Sequence, residues 1–256
     1  NSALFGNTFS NRYFEESFDM SESIFDVANC QADEVSPVWV FVEPEASPNF
    51  EGSGADACAI TASDVYVDPN QDEECTDDGC GYENMPFKTI TFALQMIMPS
   101  GNNQVTLHLA NGTYSPNTGE VFPIILPDYV NFKGQDKELT IIDAMNTGRV
   151  VHISSISNSF LSNFTIQNGQ TMYSNPGNNN AGAGLFIEHS TLKADNLIIK
   201  NNYAGVLGGG IWVEAGYDII FSNITVTENS IGNNFNYGSG IYLYNSNNTK
   251  IMNMYL

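Results

Sequence analysis

The stretch Gly210-Ile211-Trp212-Val213 is one copy of a short pattern that returns along the second half of the chain. Gly184-Leu185-Phe186-Ile187 precedes it, Gly240-Ile241-Tyr242-Leu243 follows it, and Val151-His152-Ile153 shows the same alternation without the glycine. In each copy two aliphatic residues flank a central side chain, which is the period-two pattern of a half-buried strand. The pattern predicts four equivalent strands whose aliphatic residues point inward and whose central residue points outward.

Asparagine marks a second element of the repeat. Asn163, Asn196, Asn223 and Asn253 each precede an alternating apolar triplet, at intervals of 33, 27 and 30 residues. Two short strands per repeat, joined by turns of variable length, are what one coil of a β-solenoid requires. A single coil cannot bury its apolar face alone, so coils stack about 4.8 Å apart. The sequence therefore predicts an all-β fold, a right-handed parallel β-helix.

These four asparagines share one register, so they should lie above one another on successive coils. Stacked amide side chains can hydrogen-bond along such a stack. We expect an inward-facing asparagine ladder. The alternative is that asparagine is simply a common turn residue, which explains scattered cases better than four in one register.

Earlier coils and a cap precede the repeats. Val105–Leu109 alternates as a strand, and residues 129–132 and 139–142 supply further coil elements. A short amphipathic helix is predicted over residues 88–98 by four apolar residues with helical spacing: Ile90, Ala93, Leu94 and Ile97. This helix would cover the open end of the solenoid, where an exposed coil edge otherwise promotes aggregation.

The chain divides at about residue 61 into an acidic N-terminal segment, residues 1–61, and the predicted β-helix, residues 62–256. The stretch Asn1–Asn7 has the asparagine-flanked apolar form of the repeats, yet it precedes the capping helix. We therefore expect residues 1 to about 30 to complete the open end of a neighbouring copy, so that copies assemble head to tail. The alternative is that the chain is a fragment whose further coils would close that end.

Charge is extreme and unevenly placed. The net charge is −21, and the stretch between Arg12 and Lys88 holds 19 acidic residues and no Lys or Arg. Nucleic acid is not expected as a partner, because phosphate binding needs clustered basic residues. No apolar run approaches the roughly 18 to 20 residues that cross a bilayer, so no membrane span is predicted. The acidic density indicates either bound divalent cations or a solvated surface suited to salty surroundings.

The four cysteines are Cys30, Cys58, Cys75 and Cys80, all in the acidic first third. An even number favours two disulfides and an oxidising compartment, so we expect an extracellular or cell-surface location. A four-thiolate zinc site is the competing interpretation, but the spacing lacks a pair of C-x-x-C knuckles. Pairing Cys75 with Cys80 and Cys30 with Cys58 is one of three connectivities.

Several stretches upstream of the repeats carry a family resemblance. They are Val65–Asn70, Pro86–Ile90 before the predicted helix, Gly112–Pro116 and Gly119–Ile124, and asparagine- and glycine-rich coils follow them. Together, over about residues 62–256, they resemble the pectate-lyase-like right-handed parallel β-helix repeat proteins of microbial cell surfaces. The resemblance implies the fold but selects no activity, since this superfamily includes lyases, glycoside hydrolases, tailspikes and adhesins.

One outward face is predicted to carry aromatic side chains. Alternation places Phe186, Trp212 and Tyr242 one above another, and His152 extends the column by one coil. Stacked aromatics can bind sugar rings or form the centre of a protein interface. The alternative is that a long turn such as residues 170–182 folds back and buries them.

Two carboxylates, Glu188 and Glu214, follow on the same face. Retaining glycosidases use two carboxyl groups about 5 to 5.5 Å apart, a spacing that adjacent coils could provide. Like charges on a ladder more often bind a cation or face water, so the pair is only a weak catalytic alternative. A lyase would need calcium and a basic residue, and Arg149 is the only arginine near this face.

The acidic loop between residues 68 and 80 concentrates oxygen ligands. Calcium is the expected structural ion, because it accepts six to eight carboxylate and carbonyl oxygens in flexible geometry. The candidate ligands are Asp68, Asn70, Asp72, Asp77 and Asp78. The loop lacks the EF-hand spacing, and a solvated acidic loop is the alternative.

Three functions remain open from the sequence. The first is an extracellular structural or adhesive protein of a microbial surface, stabilised by calcium and disulfides. The others use the face of Phe186, Trp212, Glu188 and Glu214: an enzyme acting on polysaccharide, or a non-catalytic glycan-binding module. The scarcity of Arg, Lys and His favours the first.

Overall fold

The computed structural model describes residues 62–75, 80–97, 99–172, 180–232 and 238–256. Residues 1–61, with Cys30 and Cys58, lie outside these ranges, as do Asp77 and Asp78. The predicted docking of residues 1 to about 30 and two of the candidate calcium ligands therefore stay predictions. Cys75 and Cys80 form a disulfide, as one of the three connectivities predicts.

Short strands build almost the whole described chain. In chain order they are β1 (Asp64–Val67), β2 (Val105–Leu109), β3 (Gly112–Tyr114), β4 (Ile124–Leu126), β5 (Val130–Gly134), β6 (Thr140–Asp143), β7 (Val151–Ser154), β8 (Phe160–Ser162), β9 (Thr165–Gln167), β10 (Leu185–Glu188), β11 (Lys193–Asp195), β12 (Ile198–Lys200), β13 (Tyr203–Ala204), β14 (Ile211–Glu214), β15 (Ile220–Ser222), β16 (Thr225–Thr227), β17 (Ser230–Ile231), β18 (Ile241–Tyr244) and β19 (Lys250–Met252). A helix, α1 (Ile90–Met96), and a 3₁₀ turn, Pro116–Thr118, interrupt them.

The strands form three parallel sheets, because each of the five complete coils contributes one strand to each sheet, and β1 and β19 add one strand at either end of sheet 1. Sheet 1 has the order β1-β2-β5-β8-β11-β15-β19, sheet 2 the order β18-β14-β10-β7-β4, and sheet 3 the order β16-β12-β9-β6-β3. Strands β13 and β17 form a small additional pair. The predicted parallel β-helix is confirmed, with about five turns.

Alternation along the strands fills the interior. In β2, Val105, Leu107 and Leu109 are buried, while Thr106 and His108 between them are partly exposed. The same alternation on successive coils stacks aliphatic and aromatic side chains into one continuous core. Since a single coil buries little apolar area, the core exists only through stacking.

Left-handed residues make the corners between sheets. The four repeat-marking asparagines follow sheet 1 with φ between 51° and 61°, a conformation that asparagine tolerates better than most residues. Asn196 Nδ2 donates to Asn163 Oδ1 (2.9 Å) and Asn253 Nδ2 to Asn223 Oδ1 (3.2 Å), so a ladder exists at both ends of the series. The middle step differs, because Asn223 Nδ2 donates to Asp195 Oδ1 (2.7 Å).

The expected inward orientation of this ladder is wrong. Asn163 and Asn196 are half-buried, and Asn223 and Asn253 are exposed. A left-handed corner turns its side chain along the rim of the coil, where water reaches it.

The inward-facing amides belong to Asn202 and Asn229, at the corner after sheet 3. Asn202 is fully buried, and its Nδ2 donates to Asn229 Oδ1 at 3.0 Å. Its Oδ1 accepts from the Gly169 N–H at 2.8 Å, while Asn229 Nδ2 donates to the Ile199 carbonyl at 2.8 Å. Gly184 leaves room for this ladder, because a Cβ there would lie 2.8 Å from Asn202 Nδ2.

Helix α1 covers the core beside β1, as predicted, although it is shorter than residues 88–98. It begins after Thr89, whose hydroxyl accepts from the Phe92 N–H, and it ends where Ile97 turns extended. Its buried face, with Ile90 and Leu94, joins the same core as the strands. Within the described ranges, no helix has the length and hydropathy needed to cross a membrane.

Candidate binding face on sheet 2

Sheet 2 carries the aromatic column that alternation predicts. In register on adjacent strands lie His152 of β7, Phe186 of β10, Trp212 of β14 and Tyr242 of β18. Trp212 and Tyr242 stack with ring centroids 4.9 Å apart and planes 5° apart, and Phe186 stacks on Trp212 at 6.5 Å. His152 meets Phe186 edge to face at 5.1 Å.

The column is not the exposed platform that its spacing suggested. Phe186 and Trp212 are each only 3% exposed, because Ala181 and Leu207 pack over them. Ala181 and Leu207 lie in the turns that precede the sheet 2 strands β10 and β14. The alternative expectation, that a long turn folds back and buries the aromatic side chains, therefore holds for Phe186 and Trp212. The predicted ligand-binding role of Phe186 and Trp212 therefore has no accessible surface in this conformation.

Arg149 holds part of the cover in place. Its guanidinium lies 4.2 Å from the centre of the Phe186 ring and donates to the carbonyls of Gly182 (2.9 Å) and Ala181 (2.8 Å). Burial lowers the pKa of Arg149 to about 10, which leaves it charged at neutral pH. Arg149 is thus part of the packing over Phe186, and a catalytic base is not its role here.

Aromatic surface does emerge at the far end of the column. Tyr242 is half-buried, and Tyr244 on the same strand is 53% exposed. The Tyr244 ring lies 6.4 Å from Trp212, with planes 20° apart. The accessible part of the face is therefore formed by two tyrosines backed by a buried tryptophan.

The two carboxylates occupy the positions that alternation predicts. Glu188 pairs in register with Glu214 on the next strand, and Glu214 pairs with Tyr244. Glu188 Oε1 lies 3.2 Å from His152 Nε2, and both side chains are about one quarter exposed. That hydrogen bond, with further help from Ser154, lowers the pKa of Glu188 despite partial burial.

The acidic loop near β1 is tied to its neighbours. Asp68 Oδ1 accepts from the backbone N–H of Asn70 (2.9 Å) and from its Nδ2 (2.8 Å), and Asn70 Nδ2 also donates to the Asn111 carbonyl. Lys88 Nζ donates to the Asp72 carbonyl at 2.8 Å. Among the residues that the structure describes, no group of three or more His, Cys, Asp or Glu side chains is placed to hold a metal.

A second polar cluster, on sheet 1, was not singled out from the sequence. Tyr66 of β1 stacks on His108 of β2 with ring centroids 4.7 Å apart, and His108 Nε2 lies 2.7 Å from Asp64 Oδ1. The sequence does indicate that Tyr66 and His108 face outward, because Val65-Tyr66-Val67 and Leu107-His108-Leu109 alternate in the same way. Their register, which brings the two rings together, follows only from the pairing of β1 with β2.

The chain matches a protein-family model and is similar to a solved viral structure. The model of a family described as a protein of unknown function, DUF1565, matches residues 74–255. No curated protein matches the sequence. The solved structure of ORF18 from Geobacillus virus E2 is similar at 12% identity with a TM-score of 0.33, covering 74% of this chain and 48% of that one. This chain thus spans about half the length of the viral protein.

Proposed function

The chain belongs to this family of unknown function, and we propose, from its geometry, that it is an extracellular adhesive protein that binds glycan without cleaving it. The observation that carries the proposal is the exposed ring of Tyr244, which lies beside the buried Trp212 of the aromatic column. A rigid aromatic edge backed by buried packing offers apolar contact area at low entropic cost.

Glu188 is suited to accept hydrogen bonds from a ligand and not to act as the acid of a glycosidase. A glycosidase needs one carboxylic acid that keeps its proton near neutral pH, which requires a raised pKa. The pKa of Glu188 is lowered, so this residue is an anion that accepts hydrogen bonds. Glu214, in register beside Tyr244, adds a second carboxylate next to the exposed ring. Carboxylates beside an exposed aromatic ring can accept hydrogen bonds from the hydroxyl groups of a sugar that packs on the ring.

The extracellular location is supported by the disulfide between Cys75 and Cys80. Disulfides persist mainly in oxidising compartments. A continuous stacked core is also suited to a structural role, because each coil is supported on both sides by its neighbours.

Binding to a glycan array, followed by calorimetry on the best glycan, tests the adhesive role. Tyr244→Ala is expected to abolish binding, whereas Tyr217→Ala removes a tyrosine of similar exposure (47%) away from this face and should leave binding intact. Release of reducing ends or of unsaturated products from any bound polysaccharide would overturn the proposal, as would binding that survives Tyr244→Ala.

Head-to-tail self-assembly, calcium binding and a relation to the pectate-lyase-like β-helix proteins, which the sequence resembles, belong to the same proposal. Sedimentation velocity over a range of concentrations tests assembly with the full chain and with a variant lacking residues 1–30. Polymers that persist without residues 1–30, or a full chain that is monomeric throughout, would refute the role of that segment.

A further inference from the structure

A cavity of about 450 Å³ lies on the outer side of sheet 1, separate from the sheet 2 face. Its lining includes Tyr66 and His108, whose stacked rings form one wall, and Lys133, which pairs in register with His108 on the next coil. Ligand sites of small molecules usually measure about 300 to 1,000 Å³. The volume is therefore that of a site for a small ligand.

Two carboxylates near this cavity are already engaged within the protein. Asp64 binds His108 and Ser63, and the hydrogen bond with His108 is the main reason why the pKa of Asp64 is lowered. Asp68 accepts from Asn70 and Gln71. These acids orient the wall and the rim, so they are poor candidates for contacting a ligand.

The remaining lining offers both donors and an acceptor. Gln135 Oε1 accepts from the Asn111 N–H, and Asn163 Oδ1 accepts from Asn196 Nδ2, so each amide has its N–H groups to present to a ligand. Lys133 adds an exposed ammonium group and Glu83 an exposed carboxylate. With the carboxylate of Asp68, which already accepts hydrogen bonds within the protein, the lining carries two acidic groups and one lysine, in a protein whose net charge is −21.

From this lining we infer that the cavity binds a neutral sugar unit. An anionic ligand would be repelled by Asp68, by Glu83 and by the acidic surface, and a cationic ligand would meet the ammonium group of Lys133 and the amide N–H groups of Gln135 and Asn163. A neutral pyranose can donate hydroxyls to Glu83, accept from Lys133 and Gln135, and lay its C–H groups against the Tyr66 and His108 wall.

Saturation-transfer NMR with the full chain tests the inference. The probes are the methyl glycosides of galactose, glucose and mannose, with galacturonic acid as the charged comparison, each at millimolar concentration. At least one neutral glycoside should give a transfer signal. That signal should be lost in Lys133→Ala and in Gln135→Ala, two exposed positions whose substitution leaves the core intact. It should persist in Lys193→Ala, an exposed lysine on the same sheet two strands away.

Three results would overturn the inference: no signal from any neutral glycoside, a signal from galacturonic acid alone, or a neutral signal that survives both cavity variants. Tyr244→Ala separates this site from the adhesive face. Loss of the signal in Tyr244→Ala but not in Lys133→Ala would place neutral sugars on sheet 2 instead. Loss only in Lys133→Ala would support the cavity while removing sugar binding from sheet 2.

Discussion

Asn202 is a fully buried side chain that joins three successive coils. It accepts from Gly169 on one coil and donates to Asn229 on the next. Asn202→Ala would leave the buried Gly169 N–H without its partner and would remove one of the two hydrogen bonds that Asn229 Oδ1 accepts from residue 202, so we expect a loss of about 1 to 3 kcal/mol in the free energy of unfolding. Denaturant titration measures this loss. Asn117→Ala, at an exposed position, should cost under about 0.5 kcal/mol, and equal losses would contradict the buried ladder.

Glu120 makes stability depend on pH. Its carboxylate accepts from the Thr91 N–H (3.0 Å) and hydroxyl (2.7 Å) at the start of α1, and it also accepts from the Ile90 N–H. Burial raises the pKa of Glu120 to about 7. The folded state therefore holds this proton more tightly than the unfolded state, and its contribution to stability is lost as pH rises from about 4.5 through 7.

Glu120→Gln should remove that pH dependence, because the amide keeps an acceptor but has no proton to lose. Relative to the wild type, the variant should gain stability between pH 5 and 7, by at most about 1.4 kcal/mol per pH unit. Thermal melts in a pH series give the comparison. A difference between the two proteins that stays constant with pH would contradict a raised pKa.

At the scale of elements, Arg149 fixes the turn that covers the aromatic column. Arg149→Ala removes two hydrogen bonds and the cation above Phe186, so Trp212 should become accessible to solvent. In a Trp39→Phe background, which leaves Trp212 as the only tryptophan, we expect a red-shifted emission and stronger quenching by acrylamide. Lys193→Ala is the matched control, and unchanged quenching in Arg149→Ala would mean that other contacts hold the turn.

The strands can be predicted from the local sequence pattern, but the turns that cover them cannot. Alternation in Leu185–Glu188 and Ile211–Glu214 identifies the strands and their outward residues, because the side-chain period of a strand is two. Burial of Trp212 depends on Ala181, which lies 31 positions away in sequence. Local periodicity cannot report a contact between a strand and a turn of another coil.

The orientation of the asparagines was missed for a different reason. Both asparagine series repeat with the coil, and register alone does not tell an inward corner from a rim corner. The glycines distinguish the two asparagine series. Asn202 and Asn229, which follow Asn196 and Asn223 by six positions, pack against Gly184 and Gly210. A buried amide needs a neighbour without a side chain.

For the whole molecule, calcium should add stability if the acidic loop binds it. An ion bound at one hundred times its dissociation constant stabilises the folded state by about 2.7 kcal/mol. Excess chelator is therefore expected to lower the melting temperature, and added calcium to restore it. The double variant Asp77→Asn, Asp78→Asn should be insensitive to both. A melting transition that chelator leaves unchanged would remove calcium from this loop.

The spacing of the left-handed corners also shows where the sequence can accept insertions and deletions. Four of the five sheet 2 strands begin four positions before a left-handed corner, at Ser155, His189, Ala215 and Asn245, and Asn163, Asn196 and Asn223 each precede the next corner by five. By contrast, the stretch between sheet 3 and sheet 2 varies: Asn168 to Leu185 spans 17 positions, Asn201 to Ile211 spans 10, and Glu228 to Ile241 spans 13. Variation in length is thus concentrated on one flank of the solenoid, since the corner after sheet 2 and the next asparagine are always seven or eight positions apart. An epitope or tag inserted on that flank would leave the register of every corner unchanged. A single residue inserted within a strand would instead turn the aliphatic side chains of that strand toward water.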